Sequence, residues 1–271
     1  MSDLQQRVIT ALVLVSVSLS ALYYIPWLPF NVILLIVALL IAHEWSNLVA
    51  WQHQIKRPMM MTAVAVVSAC CFFLPHFPIL LVGTFVTLWY FTAVLAYQFL
   101  GSSLSINRAS VSFVLGVLSL VTFVKAVDFL RGHGAHGSLW IFYPIFLSMA
   151  VDTSGYLIGR SWGSHKLIPK VSPKKSWEGL IAGFFVGMLL SVFASFLVLP
   201  SDVTRGYLIC LSFFCLVASV FGDLSISLLK RLANVKDSGN LLPGHGGLLD
   251  RFDSIMPCML VFAFGLVLAT H

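Results

Sequence analysis

Nine apolar runs decide what this chain can fold into, at about residues 8–24, 31–52, 59–75, 79–99, 110–130, 138–158, 178–199, 206–222 and 255–270. A helix needs about 20 residues to cross the hydrocarbon core of a bilayer, and most of these runs reach or approach that length. Only 10% of the residues are charged and 59% are apolar, whereas roughly a quarter of a soluble domain is charged. The two-residue alternation of a transmembrane barrel is missing. The expectation is an all-α, polytopic membrane protein of about nine transmembrane helices. The first run follows Arg7 and ends near Ser18 and Ser20, as a signal peptide would. Tyr23, Tyr24 and Trp27 come directly after it, however, as an interfacial aromatic belt does, and this favours a retained helix.

Lysine and arginine set the orientation. With the N-terminus in the cytoplasm, the cytoplasmic segments hold thirteen of them: Arg7, Lys56, Arg57, Arg108, Arg160, Lys166, Lys170, Lys174, Lys175, Lys230, Arg231, Lys236 and Arg251. The other side holds only Arg131 and Arg205. This places the N-terminus inside and the C-terminus outside. The net charge of +6 then reflects topology and anionic headgroups. No basic face with base-stacking groups is present, so a nucleic-acid partner is not expected.

The chain changes character near its middle. Residues 1–109 read as a membrane scaffold of about four spans, and 110–271 as a catalytic membrane domain of about five. The latter carries two polar segments, 159–177 and 223–254, both cytoplasmic by the charge bias. No internal repeat supports two inverted transporter halves. Cys70, Cys71, Cys210, Cys215 and Cys258 all lie in apolar runs without metal-ligand spacing, so they read as small packing groups. Small residues in the spans permit helix contacts and hence a homodimer.

Ionisable residues inside spans are costly. Lys125 and Asp128 are three apart and pair on one helix face. Glu44, beside His43, has no assigned role. Asp152 in "SMAVDTSGYLIGR" lacks a basic neighbour within a turn, so its partner must come from the adjacent polar site.

In "FGDLSISLLKRLANVKDSGNLLPGHGGLLDRFDS", continuation of the eighth helix would put Asp223, Ser227 and Lys230 on one stripe. Pro243 ends any helix, and Gly244, Gly246 and Gly247 allow backbone to approach a ligand. Asp250 and Asp253 would share a face if helix resumes there. Carboxylates without thiolates suit a hard cation such as Mg²⁺, with phosphates and water completing its shell. A stop-transfer charge cluster would be a plain basic run; here both signs interleave with glycines. In the first segment, "SPKKSWEG" reads as a helix start, with Ser176 as cap and Glu178 in the first turn. A helix N-terminus beside Lys174 and Lys175 suits phosphate. P-loop, zinc-protease and serine-elbow motifs are missing.

At these residues the chain resembles the phosphatidate cytidylyltransferases, or CDP-diacylglycerol synthases. Their long signature is matched from Ser227 through Lys230, Arg231, Lys236, Asp237, Gly239, Leu242, Pro243, His245, Gly246, Gly247, Asp250 and Arg251 to Asp253. Asp223 fits an acidic position just upstream. "SPKKSWEG" is similar to the family's SPKKTWEG, departing only at Ser176, where a hydroxyl is kept. The resemblance covers roughly residues 150–256.

It implies that CTP and phosphatidate give CDP-diacylglycerol and pyrophosphate, with Mg²⁺ as one or two ions, at the cytoplasmic face of a bacterial inner membrane. On that basis Asp223 and Asp250 would bind the metal, with Asp253 beside them or at a second ion. Lys230, Arg231 and Lys236 would take up charge during transfer, with Asp237, His245 and Arg251 in the catalytic group. Ser227, Lys174, Lys175, Gly246, Gly247 and Asp152 would hold substrate. A CTP-dependent lipid kinase of the polyprenol type and an ion-coupled transporter using Lys125, Asp128 and Asp152 are the alternatives.

Overall fold

A computed structural model describes residues 24–49, 56–102, 104, 106, 108–133, 137–197, 203–241 and 246–270. The first apolar run, apart from Tyr24, and His245 lie outside the described residues. The order is α1 (Trp27–Leu48), α2 (Lys56–Cys71), α3 (His76–Leu100), α4 (Ala109–Gly132), α5 (Gly137–Trp162), β1 (Lys166–Ile168), β2 (Ser172–Ser176), α6 (Trp177–Leu197), α7 (Arg205–Leu232), α8 (Leu249–Phe252) and α9 (Ile255–Thr270). Six of these helices, α1 and α3 to α7, are long and apolar enough to cross a membrane, while α2 and α9 are shorter apolar helices.

Helix α6 shows which solvent these surfaces suit. Its buried residues are Gly179, Gly183, Gly187, Ser191 and Ser195, one every four positions, a stripe of small side chains. Ile181, Phe185, Leu189, Phe193 and Phe196 point outward and are exposed. A water-soluble helix puts its bulky apolar residues inward, whereas helices in lipid bring small residues together and leave the large ones to the acyl chains. The small stripe packs within the chain against α5. A Cβ on Gly179 would lie 2.5 Å from the Gly155 carbonyl oxygen, and one on Gly183 would lie 2.9 Å from that of Val151. The small residues of α6 thus serve a helix contact inside the chain.

Hydroxyls tie α5 to its neighbours. Tyr143 bonds Ser191 on α6 and Ser212 on α7 at 3.0 and 2.5 Å, and Ser148 meets Ser219 at 2.9 Å. The Lys125–Asp128 pair is structural, as the spacing suggests. Its ends are 3.8 Å apart, Lys125 donates to the Phe72 carbonyl, and Asp128 accepts from Trp27 and Asn31.

The polar segment 159–177 holds a feature that the sequence reading did not anticipate. After α5 the chain forms an antiparallel β1–β2 hairpin, in which Lys166 pairs with Ser176 and Ile168 with Ser172. The hairpin delivers Ser176 to the start of α6, where its Oγ accepts from the Gly179 N–H at 3.2 Å, the expected cap.

Candidate functional site

Helix α7 does continue past Phe221, to Leu232, and so presents Asp223, Ser227 and Lys230 along one stripe. Ser227 Oγ donates to Asp223 Oδ1 at 3.3 Å. The other Asp223 oxygen meets Lys175 Nζ at 2.5 Å, each side chain about a quarter exposed. Lys175 is on β2, so the hairpin places this lysine against α7. About two turns further along α7, Lys230 Nζ bonds Asp250 Oδ1 at 2.9 Å. The second Asp250 oxygen accepts from the Ser238 N–H at 3.0 Å.

Asp152, from α5, enters the same region and accepts from Ser254 Oγ at 2.8 Å. The nearby ammonium of Lys175, from the neighbouring polar segment, acts on it electrostatically while bonded to Asp223. Asp253 precedes α9 and caps the Ser254 N–H at 2.7 Å. Its backbone oxygen would lie 2.3 Å from a Cβ on Gly222, so glycine at 222 lets α7 and this turn meet. Helix α8 is only four residues long. Asp250 and Asp253 therefore serve different neighbours, Asp250 reaching Lys230 and Asp253 accepting from the Ser254 N–H.

The electrostatics follow from this crowding. Burial, then the charges of Asp223 and Asp152, push Asp253 well above the usual carboxylate range. Burial works against the Lys175 ammonium, but Asp223 bonded to it, with Asp152 and Asp253 nearby, more than offsets this and raises its pKa.

The remaining sequence candidates are more peripheral. Lys174, Lys236, Asp237, Arg231 and Arg251 are exposed around the cluster. Arg231 Nε donates to the Val171 carbonyl at 3.3 Å, which ties the end of α7 to the hairpin. Gly246 has φ +81°, a conformation that glycine adopts without strain. A Cβ on Gly247 would lie 2.1 Å from Ser238 Oγ, so this glycine permits a close approach. Sequence reasoning missed Ser238 and Ser254, which orient Asp250 and Asp152, and left Glu44 without a role. Glu44 is buried at 1% exposure and bonded to the glycine loop. An unpaired acid inside a span was its only signal.

Among the described residues, no three histidine, cysteine, aspartate or glutamate side chains form a ready-made metal cage. The described residues of the site instead offer carboxylate oxygens from α5, α7 and the turn before α9, with no thiolate or imidazole among them. This donor chemistry fits Mg²⁺, which takes one or two carboxylates and completes its octahedron with phosphate oxygens and water.

Beside the cluster lies an apolar groove of about 360 Å³ between α3, α7 and α9, lined by Leu88, Phe91, Cys210, Phe214 and Leu268 among others. It follows α7 from Phe221 back to Tyr207, about 21 Å at 1.5 Å per residue. A smaller cavity of about 50 Å³ shares Thr87 and Phe221 with the groove and reaches Asp253. The smaller cavity thus brings an apolar lining up to a carboxylate.

The sequence matches the profile of the cytidylyltransferase family over residues 5–269. It is 34% identical to the phosphatidate cytidylyltransferase of Haemophilus influenzae, across 96% of this chain and 98% of that one. It is 32% identical to the protein of the same name from Pseudomonas aeruginosa, across 96% of each. The phosphatidate cytidylyltransferase of Bacillus subtilis is 40% identical over 139 residues, 51% of each chain.

Proposed function

The chain belongs to the cytidylyltransferase family, and on that premise we propose that it is a phosphatidate cytidylyltransferase, converting CTP and phosphatidate to CDP-diacylglycerol and pyrophosphate. One observation carries the reading: a charged cluster drawn from α5, β2, α7 and the turns around α8 adjoins an apolar groove. A lipid phosphate and a water-soluble triphosphate need such a junction.

The transfer is a displacement at the α-phosphorus of CTP. A phosphate oxygen of phosphatidate forms the new P–O bond, the bond to the β-phosphate bridge breaks, and pyrophosphate leaves. The attacking oxygen is already anionic, so no side chain has to act as a strong base. Positioning and electrostatic stabilisation supply the acceleration, as in phosphoryl transfer generally. Lys175 and Lys230 sit where they can pass from Asp223 and Asp250 to phosphate oxygens. Lys174, Arg231, Lys236 and Arg251 surround them with further positive charge, and the groove receives an acyl chain. Asp223, Asp253 and, once Lys230 has moved to phosphate, Asp250 would hold Mg²⁺. When bound, that ion would neutralise phosphate charge and orient the triphosphate. Nine spans with the N-terminus and both polar segments on the cytoplasmic side complete the reading, supported by the thirteen-to-two bias of lysine and arginine.

The test is pyrophosphate release by detergent-purified protein given CTP, phosphatidate and Mg²⁺, each omitted in turn. Release requiring all three, with a CDP-lipid product, is the expected result. CDP release with a newly phosphorylated lipid would make it a kinase, and no nucleotide turnover by folded, lipid-supplied protein would overturn the reading.

A further inference from the structure

Glu44 lies on α1, far in sequence from the charged cluster, yet its carboxylate is inserted into the loop that builds it. Oε2 accepts from the Leu249 N–H at 2.7 Å and from Ser238 Oγ at 3.4 Å, and Oε1 accepts from the Leu241 N–H at 3.4 Å. One turn further along α1, Asn47 Nδ2 donates to the Ser238 carbonyl at 3.1 Å. Two of the residues so held, Ser238 and Leu249, are those that fix Asp250. Ser238 donates its N–H to Asp250 Oδ2, and Leu249 precedes Asp250 in the chain. Asp250 in turn holds Lys230.

Two glycines make this arrangement possible. A Cβ on Gly239 would fall 2.3 Å from Glu44 Oε1, and one on Gly247 would fall 2.9 Å from Oε2. Glycine at both points lets the loop close around the carboxylate. Among the described residues, the partners of Glu44 are N–H and O–H groups rather than a cation. A charge buried in a span without an ion pair is costly, and simple packing would be served better by an apolar side chain.

Resting on the cytidylyltransferase reading above, we propose that Glu44 is a positioning residue for the reaction. It clamps residues 238–241 and 246–249 so that Asp250 and Lys230 face the CTP phosphates in register. It does not touch the reacting atoms. Its loss therefore lowers turnover and CTP use, and leaves recognition of the lipid tail alone.

The experiment compares Glu44→Gln, Glu44→Ala, Gly239→Ala and the Glu44→Ala/Gly239→Ala double variant with the wild type, in detergent-solubilised full-length protein. Gln keeps one acceptor oxygen but turns an amide donor towards the loop N–H groups. A misplacement of about 1 Å costs roughly 10²-fold in rate. Expected losses in kcat/KM for CTP are therefore about 10-fold for Gln and about 10²-fold for Ala, with the phosphatidate KM unchanged within about 2-fold. Gly239→Ala alone should also lose about 10-fold, because its methyl strikes the carboxylate. In the Glu44→Ala background the same methyl should cost less than about 2-fold, since contacting residues are not additive.

Multiplicative losses in the double variant, or wild-type kcat/KM in folded Glu44→Ala protein, would overturn the assignment. So would a fall in melting temperature with unchanged kinetics of the folded fraction, since that marks a merely structural group. The clamp is also read without turnover, by amide exchange in residues 238–241 and 246–249, which should accelerate in Glu44→Ala. A wild type that makes no CDP-lipid while this exchange effect holds would sink the reaction and leave the clamp standing.

Discussion

Asp250→Asn is the most informative single change, because it alters charge without altering shape. Asp250 accepts from Lys230 at 2.9 Å and from the Ser238 N–H at 3.0 Å, with the Lys230 and Asp250 side chains 17% and 14% exposed. Asparagine has one acceptor oxygen, so its amide must face either the ammonium or the Ser238 N–H, and both are donors. The fold then loses a charge-assisted hydrogen bond, about 1.5–3 kcal/mol. At roughly 2–4 °C per kcal/mol for a chain near this size, melting should fall by about 3–12 °C. Turnover should fall further, by about 10²-fold or more, as when one transition-state electrostatic group is removed. Lys230→Met/Asp250→Asn separates the two effects. Removing both charges should restore much of the stability, whereas turnover should stay at least ~10²-fold down. Pyrophosphate release at saturating CTP and phosphatidate, beside a melting curve, makes the measurement. A folded Asp250→Asn protein within about 3-fold of wild-type kcat would refute the reasoning.

Three further outcomes are expected. Chelation with EDTA should abolish pyrophosphate release and Mg²⁺ should restore it, and by linkage CTP should bind Mg²⁺-loaded protein more tightly than metal-free protein, which titration calorimetry can check. Ala218→Phe, in the groove wall, should raise the KM for long-chain phosphatidate by about 10-fold, since a subtracted methylene pocket is worth about 1–3 kcal/mol, with the KM for CTP and activity on a short-chain phosphatidate unchanged. Gly179→Ala places a methyl 2.5 Å from the Gly155 carbonyl oxygen and should destabilise the α5–α6 pair by about 1–3 kcal/mol, seen as a lower melting temperature in detergent.

The helices were legible because lipid imposes length and apolarity on each span separately. Runs such as 255–270 coincide with α9, and the shared stripe of Asp223, Ser227 and Lys230, conditional on a continued helix, is realised because α7 extends to Leu232. Local chemistry also sufficed for the Ser176 cap and the Lys125–Asp128 pair, whose partners are three residues apart. The hairpin escaped notice because strands of three and five residues carry little periodicity and its lysines resemble an ordinary positive-inside flank. Long-range partners escaped for another reason. Lys175 with Asp223, Asp152 with Ser254 and Glu44 with Leu249 are joined only by the packing of different helices, and no local pattern encodes which elements become neighbours.

The charge balance of the cluster gives these partnerships a common logic. Asp152, Asp223, Asp250 and Asp253 are met inside it by two ammonium groups, those of Lys175 and Lys230. Two negative charges in excess are costly where water is scarce, and burial together with the neighbouring carboxylates raises the proton affinity of Asp253. A divalent cation would relieve it without a proton, and would do so at the point where a triphosphate needs one. The lysines could then turn to phosphate oxygens without leaving bare carboxylates behind them. Metal and nucleotide would therefore each make the other's arrival favourable, and a site built this way spends little of its affinity on either alone. The groove adds the remaining condition: it ends at Phe221, two residues before Asp223, so an acyl chain held along α7 would leave its phosphate beside the charged cluster.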